Sequence, residues 1–370
     1  MHPKDVAYVK NKMFVNPNFE QDAEMFDWAG VNFGEEESYK ICKAIKRLAQ
    51  MSGGDNMRFF GKIYGTKRDY WIICGKLKEA EETVTAKHIE KRGQGVNAQV
   101  FWVTDNLLND WIQLPECRPE HIMVARMIKH VFTGDLNAEI NSNPPFPGKE
   151  RHLLRATLAR ISFATQIVPK GLFEIDEETN EMKFTEDFQV PPFEELKSLE
   201  SWGNLHPIIL QAGRVTHSEP EGMEEDAKEA YMADLEEKDK TEERFRAIQE
   251  HKPMPGLETA WLVKIVGDQQ QYNLLPPREG TTTYSVMVLR SLRWPGAITV
   301  TKGGKCAFCY LGYGLKRGDP SYNPTEPPEV QKDPQDQYEN PEPTPLEAPQ
   351  EPPEPDTDAE KKGSDEEEDD

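Results

Sequence analysis

The sequence predicts an α+β protein with antiparallel hairpins, a C-terminal β-meander with packed helices, an acidic helical insertion and a disordered acidic tail. Three observations carry this. Strand-like runs alternate with glycine-bearing turns, as in Phe59 to Tyr64, Gly65 to Arg68 and Asp69 to Leu77. Longer stretches between them keep apolar residues at helical spacing. Beyond Gly318 the chain becomes Pro, Glu and Asp, with too few apolar residues to offset the entropy of ordering.

The elements follow in order. Residues 1–25 read as a polar, aperiodic arm. Tyr39, Ile41, Cys42, Ile45 and Leu48 mark a helix over Glu36 to Met51, stopped by Ser52-Gly53-Gly54-Asp55. The first hairpin comes next, then a charged loop from Lys78 to Asn97. Gln99 to Thr104 and Asp110 to Leu114 read as a second strand pair. Pro119 suits a first helical position, and Ile122, Ala125, Ile128 and Phe132 form the buried stripe of a helix that Gly134 ends. After the rigid link Pro144 to Gly148, Leu154, Leu158 and Ile161 share a helical face over Glu150 to Thr165, and Gln166 to Val168 suit a short strand. Pro192 to Leu199 suit a short helix. Glu219 to Glu250 is charged and helix-compatible, with i,i+4 pairs such as Asp234/Lys238 and Glu242/Arg246. Thr259 to Val266, Thr283 to Arg290, Ala297 to Thr301 and Cys306 to Tyr313 make an antiparallel meander, whose last strand is expected to be an edge. The domain reading is thus arm 1–25, core 26–218, insertion 219–256, meander 257–318 of the same body, and tail 319–370.

Composition narrows the function classes. Of the net charge of −22, the 19 Asp/Glu and 3 Lys/Arg after Gly318 supply −16, leaving a mildly acidic body. Such a chain repels nucleic acid and anionic membranes. No apolar run approaches the roughly 18 residues of a membrane span, and the N-terminus lacks the apolar core of a secretory signal. The five cysteines are odd in number and mostly far apart, so reduced thiols are expected.

Motifs for chemistry are sparse. Cys306 and Cys309 form a CxxC, but no second ligand pair completes a zinc site, and strand residues three apart face opposite sides. Gly312, Gly314 and Gly318 have the wrong spacing for a phosphate loop and read as strand-end glycines. His206, beside Trp202, reads as a packed side chain rather than a base. Arg155 and Arg160 stand about 140° apart on a helix, so one is expected to be buried against carboxylates and the other exposed, as ordinary ion pairs or as interface arginines. The acidic helix reads as a solvated insertion or a strut between subunits, and Trp102 and Trp111 flank one hairpin where one could anchor a partner. Nothing assembles a nucleophile, base and oxyanion site, so the chain reads as a non-enzyme without cofactor or metal.

Five segments follow in order: NMRFFGKIYGTKRDYWII (Asn56 to Ile73), VFWVTDNLLNDWIQLP (Val100 to Pro115), Val124 to Gly171 with its PPFPG, LLRA and ARIS blocks, SWGNLHPIILQAGRV (Ser201 to Val215), and the Trp294 to Ala297 turn with Leu311 to Lys316. Together and in this order they resemble the radial spoke head proteins of motile cilia. The block order is more similar to the larger spoke head proteins numbered 4 and 6 than to number 9. The residues that carry the resemblance are Phe60, Gly61, Trp102, Trp111, Pro144, Pro145, Phe146, Pro147, Gly148, Arg155, Arg160, Gly213, Arg214, Trp294, Pro295, Gly296, Gly312 and Gly314. Two departures stand out: little chain precedes the Glu36 helix, and the loop from Lys78 to Asn97 is short and weakly acidic for the family.

The resemblance implies a structural subunit of the radial spoke head in the ciliary or flagellar axoneme, helping pass central-pair contact towards the dynein arms. Implied partners are a paralogous spoke head protein, MORN-repeat proteins, the spoke stalk and central-pair projections, with a homologous subunit against the meander edge. The residues alone leave a second reading, an acidic-tailed cytosolic scaffold or chaperone for basic clients.

Ser364 and Thr357 precede acidic residues and suit an acidophilic kinase; each phosphate would add about −1.5 to −2 charges. Truncation after Gly318 is expected to leave folding and spoke head assembly intact and to change beating in a salt-sensitive way. Melting curves and beat records of the truncated chain check this; a truncated protein that fails to fold or to enter spokes would refute it.

Overall fold

The computed structural model describes residues 19–77, 88–176, 182–185, 188–189, 191–218, 220, 222, 224–242, 244–273, 281–302 and 304–318. The chain divides into two units, Met1–Pro324 and Thr325–Asp370, and the second lies outside the described residues, as does the first half of the Lys78 to Asn97 loop.

Helix α1 (Phe19–Trp28) occupies part of what the sequence reads as an arm. Phe19, Ala23 and Phe26 recur at i, i+4 and i+7 and are buried, but Glu20, Asp22, Glu24 and Asp27 interrupt the stripe and hide its period. Helix α2 (Glu35–Ser52) follows and ends at Gly53, whose φ of 62° is left-handed. Strands β1 (Gly54–Ile63), β2 (Tyr70–Leu77), β3 (Val100–Thr104) and β4 (Ile112–Gln113) then form an antiparallel meander. Strand β1 starts inside the expected Ser52 to Asp55 stop.

Helix α3 (Pro119–Met127) is shorter than its apolar stripe suggests. Ile128 is extended, with φ −103° and ψ 153°, and Phe132 is buried from the irregular segment beyond it. Helix α4 (Glu150–Thr165) is the central helix: 12 of its 16 residues are buried, including Leu154, Leu158 and Ile161. Small elements follow: β5 (Ile167–Pro169), the unforeseen pair β6 (Phe173–Ile175) and β7 (Met182–Phe184), α5 (Phe193–Leu196) and β8 (Trp202–Asn204), which pairs with β5. The acidic insertion keeps only α6 (Glu225–Lys238), with no buried residue. Beyond it the expected helix breaks: Phe245 takes φ 63°, donates to Asn204 O at 2.7 Å and stacks on Phe173, while Ile248 enters the core. Apolar anchors in an otherwise charged run override helix propensity there.

Strands β9 (Trp261–Asn273), β10 (Thr281–Ser291), β11 (Ala297–Lys302) and β12 (Lys305–Gly312) form the second antiparallel meander. One sheet of eight strands results, in the order β4-β3-β2-β1-β12-β11-β10-β9. Strand β12 is therefore not the expected edge. It lies in the middle and pairs in parallel with β1, through Gly61↔Tyr310, Lys62↔Leu311 and Ile63↔Gly312. A pairing between segments this far apart leaves no local pattern in the sequence.

Helices α1 and α2 cover one face of the sheet, over Phe59, Trp102, Val288 and Cys309. Helices α3 and α4 cover the other, over Phe60, Phe101 and Tyr310. A third cluster, with Trp202, Ile248, Met287 and Leu289, extends that second face below β9 and β10. Cys309 faces the α1 side and Cys306 packs on the third cluster, so the CxxC thiols lie on opposite faces.

At Gly61 the φ is 145°, and a Cβ would sit 1.9 Å from Tyr310 O. The parallel strands can approach only because this side chain is absent. Gly61→Ala is expected to destabilise the body by roughly 2–3 kcal/mol or more, since both backbone conformation and strand spacing oppose it. Chemical denaturation measures this, and an unchanged midpoint would refute the close approach.

Candidate functional site

The candidate residues gather mainly where the two meanders join. Trp294, Pro295 and Gly296 turn the chain into β11, with Ala297 N donating to Trp294 O at 3.0 Å. Leu311 N donates to Gly296 O at 2.8 Å, and a Cβ on Gly296 would lie 2.2 Å from Leu311 O. Gly312 packs on Pro295 O, and Gly314 N donates to the Tyr310 hydroxyl at 2.9 Å. From α4, the Arg160 guanidinium lies 5.3 Å from the Trp294 ring centroid, a cation–π contact, and also donates to Ala125 O. Phe60 sits beneath, against Phe101, Phe308 and Tyr310.

A second group surrounds the start of α4. Phe146 of the PPFPG link is buried beside His121, whose Nε2 lies 3.1 Å from Pro147 O. Burial pushes the His121 imidazole down to about 4. Pro144 O accepts from Ser142, Pro145 and Pro147 are exposed, and Gly148 leaves room for the His152 ring. The first helical residue, Glu150, is fully buried. Its carboxylate accepts from the Tyr70 hydroxyl at 2.7 Å, the Thr133 hydroxyl at 2.8 Å, and the backbone N–H groups of Thr133 and Gly134 at 2.9 to 3.0 Å. Sequence reasoning passed over Glu150 because an acid in a first helical turn is ordinary on an exposed helix. The available signal was its place directly after PPFPGK.

Arg155 departs from expectation. It is buried, but its partners are Val96 O, Asn97 Oδ1 and Gln99 O at 2.9 to 3.1 Å rather than carboxylates. Its guanidinium also lies 4.9 Å from the Phe101 ring centroid. The loop before β3 presents all three oxygens to one end of the guanidinium, Nη2, while the buried Nη1 has no hydrogen-bond partner among the described residues. The expected exposed member of the pair is absent, since Arg160 is half-buried under Trp294.

Gly213, with φ 77°, lets the chain close on Pro119, whose carbonyl would be 2.5 Å from a Cβ. Arg214 donates to His88 O at 2.8 Å. Two further residues missed by sequence reasoning hold this segment. Arg126 donates to Ile209 O and Leu210 O, and the buried Glu90 accepts from Val96, Val215 and Thr216. Trp102 lies apart, buried on the α1 side, and Trp111 is half-buried beside β4. His206 is buried, bonded to Gln166 at 2.8 Å and stacked on Phe163, and burial lowers its ring to about 3.

The grouped side chains thus hold backbone segments together. A cavity between Ala125–His130, Arg160 and Gly314–Lys316 encloses about 30 Å³, room for a few waters at most. A ligand pocket is typically some ten times larger.

The sequence model of radial spokehead-like proteins matches residues 4–92 and 81–350, spanning both meanders and the helices between them. The chain belongs to the radial spokehead-like family. Flagellar radial spoke protein 4 of Chlamydomonas reinhardtii is 29% identical over 334 residues, covering 83% of this chain and 68% of that protein. Radial spoke head protein 6 homolog A of Mus musculus is 29% identical over 376 residues, with coverage of 86% and 52%. Radial spoke head protein 4 homolog A of Homo sapiens is 29% identical over 365 residues, with coverage of 85% and 49%. The chain spans about half the length of these two mammalian relatives. The resemblance to spoke head proteins 4 and 6 is thereby shown.

Within this spokehead-like body, Trp294 and Glu150 give separable tests. Trp294→Ala is expected to destabilise it by about 3–5 kcal/mol, the usual loss for a buried tryptophan. Glu150→Gln puts an amide against N–H donors and should lose roughly 2–3 kcal/mol, and Tyr70→Phe about 1 kcal/mol. The double variant should lose less than the sum, because both remove the same hydrogen bond. Urea unfolding of the four variants reads this out, and strict additivity would contradict the geometry.

Proposed function

We propose that this chain is a structural, non-catalytic subunit of the radial spoke head in the axoneme of cilia or flagella. Its work there is mechanical: it helps carry contact from the central pair towards the dynein arms. The observation that carries this reading is the family match across both halves of the sheet, so the similarity includes the seam that makes the body one unit. The relatives named as radial spoke proteins support the setting, and none of their names favours a chaperone for basic clients. Side chains that link backbone segments, rather than line a pocket, suit a load-bearing part. The partners in this reading are a paralogous spoke head protein, MORN-repeat proteins and the spoke stalk, with central-pair projections on the facing side.

The test is purification of an epitope-tagged full chain from axonemes, with mass spectrometry of what accompanies it. Spoke head and stalk proteins should be recovered in fixed ratios, and axonemes lacking the chain should lose spoke head density in tomograms. Recovery without spoke proteins, or intact heads in its absence, would overturn the reading.

A further inference from the structure

The two edges of the eight-stranded sheet are built differently. At one end β4 has two residues, a short edge that offers little to a passing strand. At the other end β9 runs for 13 residues, Trp261–Asn273, with no proline. Among the described residues no strand pairs with its outer side. Its backbone N–H and C=O groups on that side are complementary only to another extended segment.

The side chains say which one. Val263 and Ile265 pack on the third core cluster and fix the strand from below. On the other face Leu262, Lys264 and Val266 alternate, and Leu262 and Val266 are 39% and 37% exposed. Across β10, Val266 and Lys264 face the buried Val286 and Val288, while Leu262 faces the exposed Arg290, so the cover on this face ends at β10 and stops short of Leu262. An apolar–cation–apolar ladder is left along an open edge. Gly267, with φ 98°, bounds it, and the β9/β10 register shifts just after Asp268.

A second copy of this chain does not fit that ladder. The antiparallel register that sets Leu262 against Val266 of the copy also sets Lys264 against Lys264, and like charges directly opposite repel. The register that sets Lys264 against Asp268 must run through the bend at Gly267. We propose that the β9 edge is a docking strand for a segment of a different protein, an extended strand with an acidic residue between two apolar ones, seated opposite Lys264, Leu262 and Val266. This deepens the spoke head reading, on which it rests for the existence of such a partner: one contact of the subunit is heteromeric β-pairing, and Lys264 both selects the partner strand and prevents self-pairing.

The test uses the full chain and synthetic peptides, so it stands apart from axonemal localisation. One peptide alternates Val, Glu and Val at every second position, and its counterpart has Lys in place of Glu. The Glu peptide should protect the amides of Leu262 to Val266 from hydrogen exchange and bind about three- to fivefold more tightly than the Lys peptide, the range expected for one cross-strand charge pair. Lys264→Glu should reverse that order, and Lys264→Val should let the protein dimerise in sedimentation. Absence of β9 protection with either peptide, an order unmoved by Lys264→Glu, or a wild-type dimer with protected β9 amides would each overturn the proposal. Loss of the chain from spokes would bear on the functional reading alone.

Discussion

The parallel pairing of β1 with β12 is the constraint on which the body depends. Each meander alone is a four-stranded antiparallel ribbon with an open inner edge. Pairing Gly61 with Tyr310 closes both edges at once and makes one sheet with a helix layer on each face. The two partners lie far apart in the chain, so the pairing forms only after a large loop-closure entropy is met. Local contacts cannot drive it. Buried apolar surface on both faces must do so, and the large side chains lie at the seam: Phe60, Tyr70 and Tyr310 are each at most 2% exposed.

Three glycines let backbone replace side chain at this place. Gly61 admits Tyr310 O, Gly296 admits Leu311 O, and Gly312 admits Pro295 O. The Trp294 turn is thus part of the seam, since it delivers β11 and receives the end of β12. Around this apolar centre sit buried charges, which are expensive unless fully bonded. Glu150 and Arg155 are both on α4 and both bind mostly non-ionic partners. Glu150 fixes Thr133 and Gly134, which follow α3; Arg155 fixes the loop before β3. A hydrophobic pair of similar volume could fill the same space, but it would not dictate where those loops lie.

Much of the fold was legible because its signals are local. The first hairpin, α2 and α4 announce themselves through turn residues and apolar period. The opposite facing of Cys306 and Cys309 follows from strand geometry alone. What was illegible depends on partners distant in sequence. The parallel seam has no dipeptide signature, so β12 reads as an edge. Helix α1 looks like a tail because acids separate its apolar residues, although Phe19 makes edge-on contacts with Phe33 and Phe59 that only the folded chain supplies. That one of Arg155 and Arg160 is buried was legible, but not which one, and the oxygen partners of Arg155 belong to an irregular loop, where sequence does not reveal which way carbonyls point. The insertion misled in the opposite sense: i,i+4 charge pairs continue through Arg246, yet Phe245 and Ile248 draw the chain into the body.

The same architecture separates stiffness from contact. The helices lie over the middle of the sheet, where the seam, the Trp294 turn and the Glu150 network coincide, so the centre is closed on both faces. Towards the β9 edge the α1-side cover ends, and Leu262 and Val266 remain exposed. Helix α6 has no buried residue and stands on a base pinned by Phe245 and Ile248. A body arranged this way can exchange contacts at its periphery without repacking its core, because the residues that hold the seam are not those that a partner would touch. That is what the proposed spoke head role would require, since a part that passes displacement on must not absorb it.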